Sequence, residues 1–160
     1  MGKIEKIVLH CSDSEWGSAV EIDRWHRARG WTKIGYMGVI LNGYPIKDVY
    51  WEPSDGAWEW GRPLDHDNLI EPNEIEAHAY GINSKSVGIC MIGKSQFSYR
   101  QFMAARRFIL ALVAKWGLTL KDVIGHYEVD KSKTCPNINM DTFRLFLTDV
   151  NLIDELMVGK

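Results

Sequence analysis

The sequence has no long hydrophobic run and no excess of positive charge, and each absence excludes a class of protein. No apolar stretch approaches the roughly 20 residues of a membrane-spanning helix, and residues 1–6 contain no hydrophobic signal region. The formal net charge is −2, so no strongly basic surface is available for nucleic acid or for an anionic membrane. We therefore expect synthesis in the cytoplasm without a signal peptide, no membrane insertion and no nucleic-acid partner.

Cysteine is also scarce, and its odd count of three does not suit a disulfide framework. Cys11 and Cys90 lie in or beside apolar runs and are predicted to be buried thiols. A chain of 160 residues can bury the core of one domain without disulfides, and no repeat or linker divides it. The sequence therefore predicts a single domain over residues 1–160.

Short apolar runs alternate with amphipathic segments along the chain. The runs predict strands at 4–10, 37–41, 87–92 and 123–124, whereas the segment 44–76 has no regular pattern and is expected to be irregular. Helices are predicted at 20–29 and from a capping box at Ser98 to Trp116, with Asp141 capping a final helix. This order predicts an α/β fold, with a central mixed β-sheet flanked by helices on both faces.

Two histidines and one cysteine are the strongest candidates for chemistry. His10 follows the apolar run Ile7-Val8-Leu9, and strand ends are where rigid scaffolds often place functional groups. His126 and Cys135 lie close together in the segment 126–136. Two imidazoles and a thiolate suit zinc, and three protein ligands would leave a fourth position for water, as in hydrolytic zinc sites.

Several short motifs occur in a fixed order along the chain. They are Val8-Leu9-His10-Cys11-Ser12, Arg24-Trp25-His26, Ile34-Gly35-Tyr36, Ala77-His78-Ala79-Tyr80-Gly81, Ser86-Val87-Gly88-Ile89, Gly125-His126 and Lys133-Thr134-Cys135-Pro136. As an ordered set they resemble the zinc-dependent N-acetylmuramoyl-L-alanine amidases of the short phage lysozyme type. The fold of those enzymes is shared with peptidoglycan recognition proteins, and the same α/β architecture is therefore expected.

The resemblance also implies a set of site residues. The metal ligands for one Zn²⁺ per chain fall on His10, His126 and Cys135, and the catalytic residues fall on Tyr36 and Lys133. Lys131 competes with Lys133, but Lys133 keeps the Lys-x-Cys spacing of the family. The chain departs from the family where Gly35-Tyr36 is followed by Met37-Gly38 instead of His-Phe.

Candidate substrate contacts are less specific. His78 and Asn83 lie in a loop that faces the substrate groove by resemblance, although His78 could instead stabilise that loop. Trp58 and Trp60 could stack on sugar rings or could hold a long loop in place. We expect His26 to be structural and His66 to be solvated, and Glu128 could orient the site or be a plain surface acid.

The resemblance implies a phage-type endolysin that hydrolyses the amide between N-acetylmuramic acid and L-alanine in peptidoglycan by zinc-activated water. Such a protein would be a monomer in the host cytoplasm, would reach the wall after holin-type release, and would lack a separate cell-wall-binding domain. One alternative is a non-catalytic peptidoglycan recognition module, in which the cysteine ligand is commonly replaced, so Cys135 favours the enzyme. Another is an amidase that also binds and regulates a phage RNA polymerase, which the sequence leaves open.

Overall fold

A five-stranded sheet forms the centre of the computed structural model, which describes residues 2–65 and 67–158. His66 lies outside the described residues. The strands are β1 (Gly2–Lys3), β2 (Lys6–Cys11), β3 (Gly38–Asn42), β4 (Asp55–Trp60), β5 (Leu69–Ile70), β6 (Ser86–Met91) and β7 (Val123–Gly125). The order in the central sheet is β4-β3-β6-β2-β7, with β4 antiparallel and the other pairs parallel. β1 and β5 form a small antiparallel pair.

Helices cover both faces of this sheet, which confirms the predicted α/β architecture. They are α1 (Ala19–Ala28), α2 (Tyr99–Trp116), α3 (His126–Val129), α4 (Met140–Thr148) and α5 (Ile153–Val158). One apolar cluster joins Ile22 of α1 to Val39 and Cys90 on one face. The larger cluster packs α2, α4 and α5 against the opposite face of β2, β3 and β6. None of these described helices is both long enough and apolar enough to cross a membrane.

The N-terminal caps of two helices were predicted from the sequence, and one of the two predictions is confirmed. The hydroxyl of Ser98 accepts the N–H of Gln101, and the Gln101 side chain accepts the N–H of Ser98, so the predicted capping box begins α2. The predicted cap of α4 is wrong, because Asn139 and not Asp141 accepts the N–H of Thr142, at 3.0 Å. Asp141 lies instead in the first turn, where a carboxylate also interacts favourably with the helix dipole.

The prediction that residues 44–76 are irregular is also wrong. Asp55–Trp60 pairs with β3 in antiparallel register, with Trp58 opposite Ile40, and β5 lies further along the same segment. β4 is an edge strand that contains Gly56 and two acids, so its sequence lacks the alternation typical of a half-buried strand. Its conformation comes from pairing with β3, which no local pattern reveals.

Strand alternation decides which face of β2 carries His10. Ile7, Leu9 and Cys11 join the large apolar cluster under α2, so His10 points to the opposite face. On that face α1 packs over β3 and β6. The adjacent surface of β2 is occupied by other rings, since His10 contacts His78 and His126 edge to face.

Candidate active site

Three ligand-type side chains converge at the carboxyl ends of two neighbouring strands. His10 is the penultimate residue of β2, and His126 follows the last residue of β7, which is parallel to β2. Cys135 reaches the same point from the loop after α3. Among residues 2–65 and 67–158, the ligand atoms of these three side chains form one group that could hold a metal, with all atoms within 4.8 Å of one another.

The donor set fits Zn²⁺. With Zn–N near 2.0–2.1 Å and Zn–S near 2.3 Å, tetrahedral ligand atoms lie about 3.3–3.6 Å apart. The Nδ1 atom of His10 lies 3.8 Å from the Sγ atom of Cys135, close to that spacing. Two nitrogens and one sulfur on three protein residues match an open hydrolytic site better than a closed structural one.

The segment that carries His126 and Cys135 is held by a network of hydrogen bonds. The Glu128 carboxylate accepts the N–H of Gly125 at 2.8 Å and two hydrogen bonds from Arg144 at 3.0 Å. The N–H of Tyr127 donates to the carbonyl of Cys135 at 2.9 Å, and the N–H of Cys11 donates to the Cys135 sulfur at 3.2 Å. Glu128 is therefore an orienting residue and not a plain surface acid.

Burial keeps the site histidines neutral. It lowers the pKa of His10 well below the usual value, and it also lowers the pKa of His126, with the charge of Lys133 adding to the effect. The hydrogen bond with Cys11, followed by burial, raises the pKa of Cys135 in the metal-free protein. Metal binding at this site would therefore release the thiol proton of Cys135.

A cleft of about 530 Å³ opens beside the ligand cluster, and both predicted catalytic residues line it. The ring of Tyr36 lies 5.0 Å from that of His10, and burial raises the pKa of its phenol well above the usual value. Tyr36 therefore remains a hydrogen-bond donor at neutral pH. Both Lys131 and Lys133 are exposed on the same loop, but only Lys133 lines the cleft, which favours Lys133 as the candidate catalytic lysine.

His26 is structural, as predicted. It is buried, and its Nδ1 atom accepts the N–H of Gly35 at 3.0 Å. Its ring packs against those of Trp31 and Tyr36, with centroids 4.3 and 5.4 Å away. Burial lowers the pKa of His26 to about 4, so the accepting nitrogen remains unprotonated at neutral pH. His26 thus fixes the backbone from which Tyr36 enters the cleft.

The loop that carries His78 and Asn83 lies beside the cluster, but the side chain of His78 is fully buried. Its Nδ1 atom lies 3.0 Å from Nε2 of His10, so its buried side chain contacts a predicted metal ligand, although the residue is also part of the cleft lining. The amide oxygen of Asn83 accepts the N–H groups of His78 and Ala79 at 3.1 and 2.8 Å. These contacts favour the loop-stabilising alternative for His78, and they show that Asn83, which also lines the cleft, holds the same loop.

The structure does not bring Trp58 and Trp60 to the cleft. Trp58 stacks on Phe108 of α2 with ring centroids 4.2 Å apart, on the sheet face opposite His10. Trp60 contacts Trp58 edge to face at 5.3 Å and borders a separate groove beside α1. The predicted sugar contacts gain no support from this placement, because β4 directs Trp58 into the core.

Sequence reasoning did not identify Ser86, Glu76 or Arg144 as supports of the site. The hydroxyl and carbonyl of Ser86 lie 3.2 and 3.3 Å from Nε2 of His78, and a carboxylate oxygen of Glu76 lies 3.7 Å from the same atom. The sequence did contain one signal of this packing, Gly88 in β6, because a glycine inside a strand often marks a close approach by another group. Here that group is the ring of His78.

The comparison with known proteins identifies the family. The model of the N-acetylmuramoyl-L-alanine amidase family (Amidase_2) matches residues 1–138, so the chain belongs to this family. It is 28% identical to the endolysin of Escherichia phage T7 over 148 residues, which cover 85% of this chain and 82% of that protein. The endolysin of Klebsiella phage KP32 is 27% identical over 146 residues, with 84% and 82% covered.

Solved structures agree with the fold. The amidase LysC from Clostridium intestinale has a TM-score of 0.72 at 24% identity, covering 92% of this chain and 87% of that one. Wild-type Drosophila PGRP-LB has a TM-score of 0.64 at 25% identity, covering 85% and 76%. The family and these relatives together establish a peptidoglycan amidase related to phage endolysins, with peptidoglycan as its substrate.

Proposed function

We propose that the protein is a zinc-dependent endolysin that hydrolyses the amide bond between N-acetylmuramic acid and L-alanine. The observation that carries this proposal is the convergence of His10, His126 and Cys135 within 4.8 Å, beside a cleft lined by Tyr36 and Lys133. The ligand atoms suit zinc, and the two additional polar groups suit the charge that develops during amide hydrolysis.

Zinc bound here would supply an activated water and polarise the scissile carbonyl. The remaining work belongs to side chains that the structure places around the cleft. The phenol of Tyr36, protonated because its pKa is raised, donates a hydrogen bond to an oxygen of the reacting amide. The ammonium group of Lys133 places a positive charge where the oxyanion forms, and a donor of this kind contributes about 3–4 kcal/mol to transition-state stabilisation.

The non-catalytic recognition module is not favoured. A protein that only binds peptidoglycan has no need for three metal ligands together with a protonated phenol and a lysine in one cleft. The relatives named as endolysins and the matching amidase family point the same way.

The site of action follows from the same proposal. The protein would be made in the host cytoplasm and would reach the peptidoglycan layer after release by a holin-type pore. The monomeric state and the contact with a phage RNA polymerase stay predictions. Sedimentation would test the first, and a pull-down with the polymerase would test the second.

The decisive experiment pairs two cysteine variants. Cys135→Ser should lose most of the bound zinc and the activity, whereas Cys90→Ala should keep both, because Cys90 is buried under α1 and contributes no atom to the ligand group. Zinc content would be measured by elemental analysis, and activity by mass spectrometry of fragments released from purified sacculi. Full zinc in Cys135→Ser, or fragments cut at another bond, would contradict the proposal.

A further inference from the structure

We propose that His78 is a positioning residue that determines which ring nitrogen of His10 is free to bind the metal. The inference rests on the proposed metal site and concerns hydrogen-bond direction only. Its starting point is a chain of two contacts that runs from the backbone of β6, through the ring of His78, to the ring of His10.

The first step fixes the proton of His78. Its Nε2 atom lies 3.3 Å from the carbonyl oxygen of Ser86, and a carbonyl oxygen can only accept a hydrogen bond. The Ser86 hydroxyl, 3.2 Å from the same nitrogen, donates its own proton to the carbonyl of Ile82 at 2.7 Å. Both groups therefore present lone pairs to His78, so Nε2 carries the hydrogen. In a neutral imidazole this leaves Nδ1 as an acceptor.

The second step transfers this constraint to His10. The Nε2 atom of His10 lies 3.0 Å from Nδ1 of His78, which has become an acceptor, so Nε2 of His10 must carry the hydrogen. The lone pair of His10 is then on Nδ1, the atom that lies 3.8 Å from the sulfur of Cys135. A backbone carbonyl on β6 thus selects the tautomer of a metal ligand on β2, as the partners of metal-bound histidines commonly do.

The packing around His78 leaves its ring little freedom to turn. A β-carbon added to Gly88 would lie 2.8 Å from Cγ of His78, so the ring rests directly on the glycine backbone. The N–H of the same glycine donates to Glu76 at 2.7 Å, which places that carboxylate on the Nε2 side of the ring. Because the side chain is fully buried, His78 acts on the site through His10 and not by contact with the substrate.

The test compares three substitutions that differ in where they place an acceptor. In His78→Asn the amide oxygen can occupy the position of Nδ1 and accept the His10 N–H, whereas His78→Gln places its polar group near Nε2. His78→Ala removes both. Zinc affinity would be measured by competition with a chromogenic chelator. The visible spectrum of the Co²⁺-loaded proteins would report ligand geometry, and the melting of the metal-free proteins would report the fold.

We expect zinc affinity to fall about 10–100-fold in His78→Ala and His78→Gln, the usual cost of losing such a partner. His78→Asn should stay within a few-fold of the parent and keep its Co²⁺ spectrum. Equal zinc affinity in the parent, His78→Asn and His78→Gln proteins would overturn the proposal. So would a loss of zinc affinity that is proportional to the loss of melting temperature in all three variants, because a general loss of stability would then explain it. Zinc retained by Cys135→Ser would instead refute the metal site itself, so the two failures are distinguishable.

A second test changes Gly88 of β6, on which the His78 ring rests, and leaves His78 itself unchanged. Gly88→Ala should displace the His78 ring without changing any polar group, because the new methyl group would overlap Cγ. In the parent protein, Gly88→Ala should weaken zinc binding by about the same factor as His78→Ala does. In the His78→Ala protein, where no ring remains to be displaced, adding Gly88→Ala should have little further effect. Equal, independent losses in both backgrounds would contradict the positioning role.

Discussion

Arg144 of α4 holds both carboxylate oxygens of Glu128, with each nitrogen-to-oxygen distance at 3.0 Å. The same guanidinium donates to the carbonyl of Val123 at 2.9 Å, so one side chain joins α4, β7 and the short helix that begins with His126. The hydrogen bonds lower the pKa of the Glu128 carboxyl, although its partial burial opposes them. The position of His126, a proposed metal ligand, thus depends on Arg144, which lies 18 residues further along the chain and acts through Glu128 and Val123.

Replacing Arg144 with glutamine should destabilise the protein and loosen the metal site. We expect a loss of about 1.5–3 kcal/mol in the free energy of unfolding, the range for hydrogen bonds to charged groups, because Glu128 would lose its bidentate partner. Arg24→Gln is the matched control, since its pair with Glu21 is largely exposed, and it should change stability by less than about 0.5 kcal/mol. Urea denaturation would measure the free energy of unfolding of both variants. Equal losses in Arg144→Gln and Arg24→Gln would contradict the role of Arg144 in holding Glu128.

Catalysis and metal binding should be separable. Tyr36→Phe and Lys133→Ala should fold and bind zinc normally, yet each should lose roughly a hundredfold or more in turnover, as when an oxyanion donor is removed. Lys131→Ala is the control and should be nearly silent, because Lys131 is not part of the cleft lining. Turnover on solubilised peptidoglycan and zinc content would be measured together. Damage from Lys131→Ala with a harmless Lys133→Ala would show that the wrong lysine was assigned.

Acid should destabilise the fold through His26. Its folded pKa is about 4, below the unfolded value near 6.5, so the unfolded chain binds this proton more tightly. The stability contribution is therefore complete above pH 6.5 and is lost as the pH falls toward 4. His26→Asn, whose amide oxygen can still accept the Gly35 N–H, should show a shallower loss over this range. Denaturant titrations at pH 4.5, 5.5 and 7 would give the free energy of unfolding of both proteins. If it fell equally with pH in the parent and in His26→Asn, the acid sensitivity would not come from His26.

External addition should lyse only cells whose outer membrane has been opened. The net charge of −2 gives no electrostatic attraction to an anionic surface, and relatives come from phages of Escherichia and Klebsiella. We expect little clearing of intact Gram-negative cells and rapid clearing after permeabilisation, with Cys135→Ser as the inactive control. Turbidity records the result. Equal lysis of both preparations would mean that the protein crosses the outer membrane unaided.

The meeting of His10, His126 and Cys135 could be predicted from the sequence because the three residues lie in short motifs that follow one another in a fixed order. The same holds for α2, whose capping box and terminal glycine are contiguous with the helix they delimit. The supports of the site could not be predicted in this way. Ser86, His78 and His10 meet only because β6 and β2 are neighbours in the sheet, and Trp58 faces the core because β4 pairs with β3. Such relationships depend on strand order, which residue type and spacing do not encode.

The distance along the chain between the proposed metal ligands has a consequence for when the site can form during synthesis. His10 and Cys135 are 125 residues apart, and the strand that leads to His126 lies at the edge of the sheet and pairs with β2. At about 5–20 residues per second, a ribosome needs roughly 6–25 s to pass from one ligand to the other. Throughout that interval the nascent chain has β2 but no complete ligand set. If these residues hold the metal as we propose, hydrolytic capacity cannot arise before Cys135 has been synthesised, and a chain released earlier would carry no wall-degrading activity.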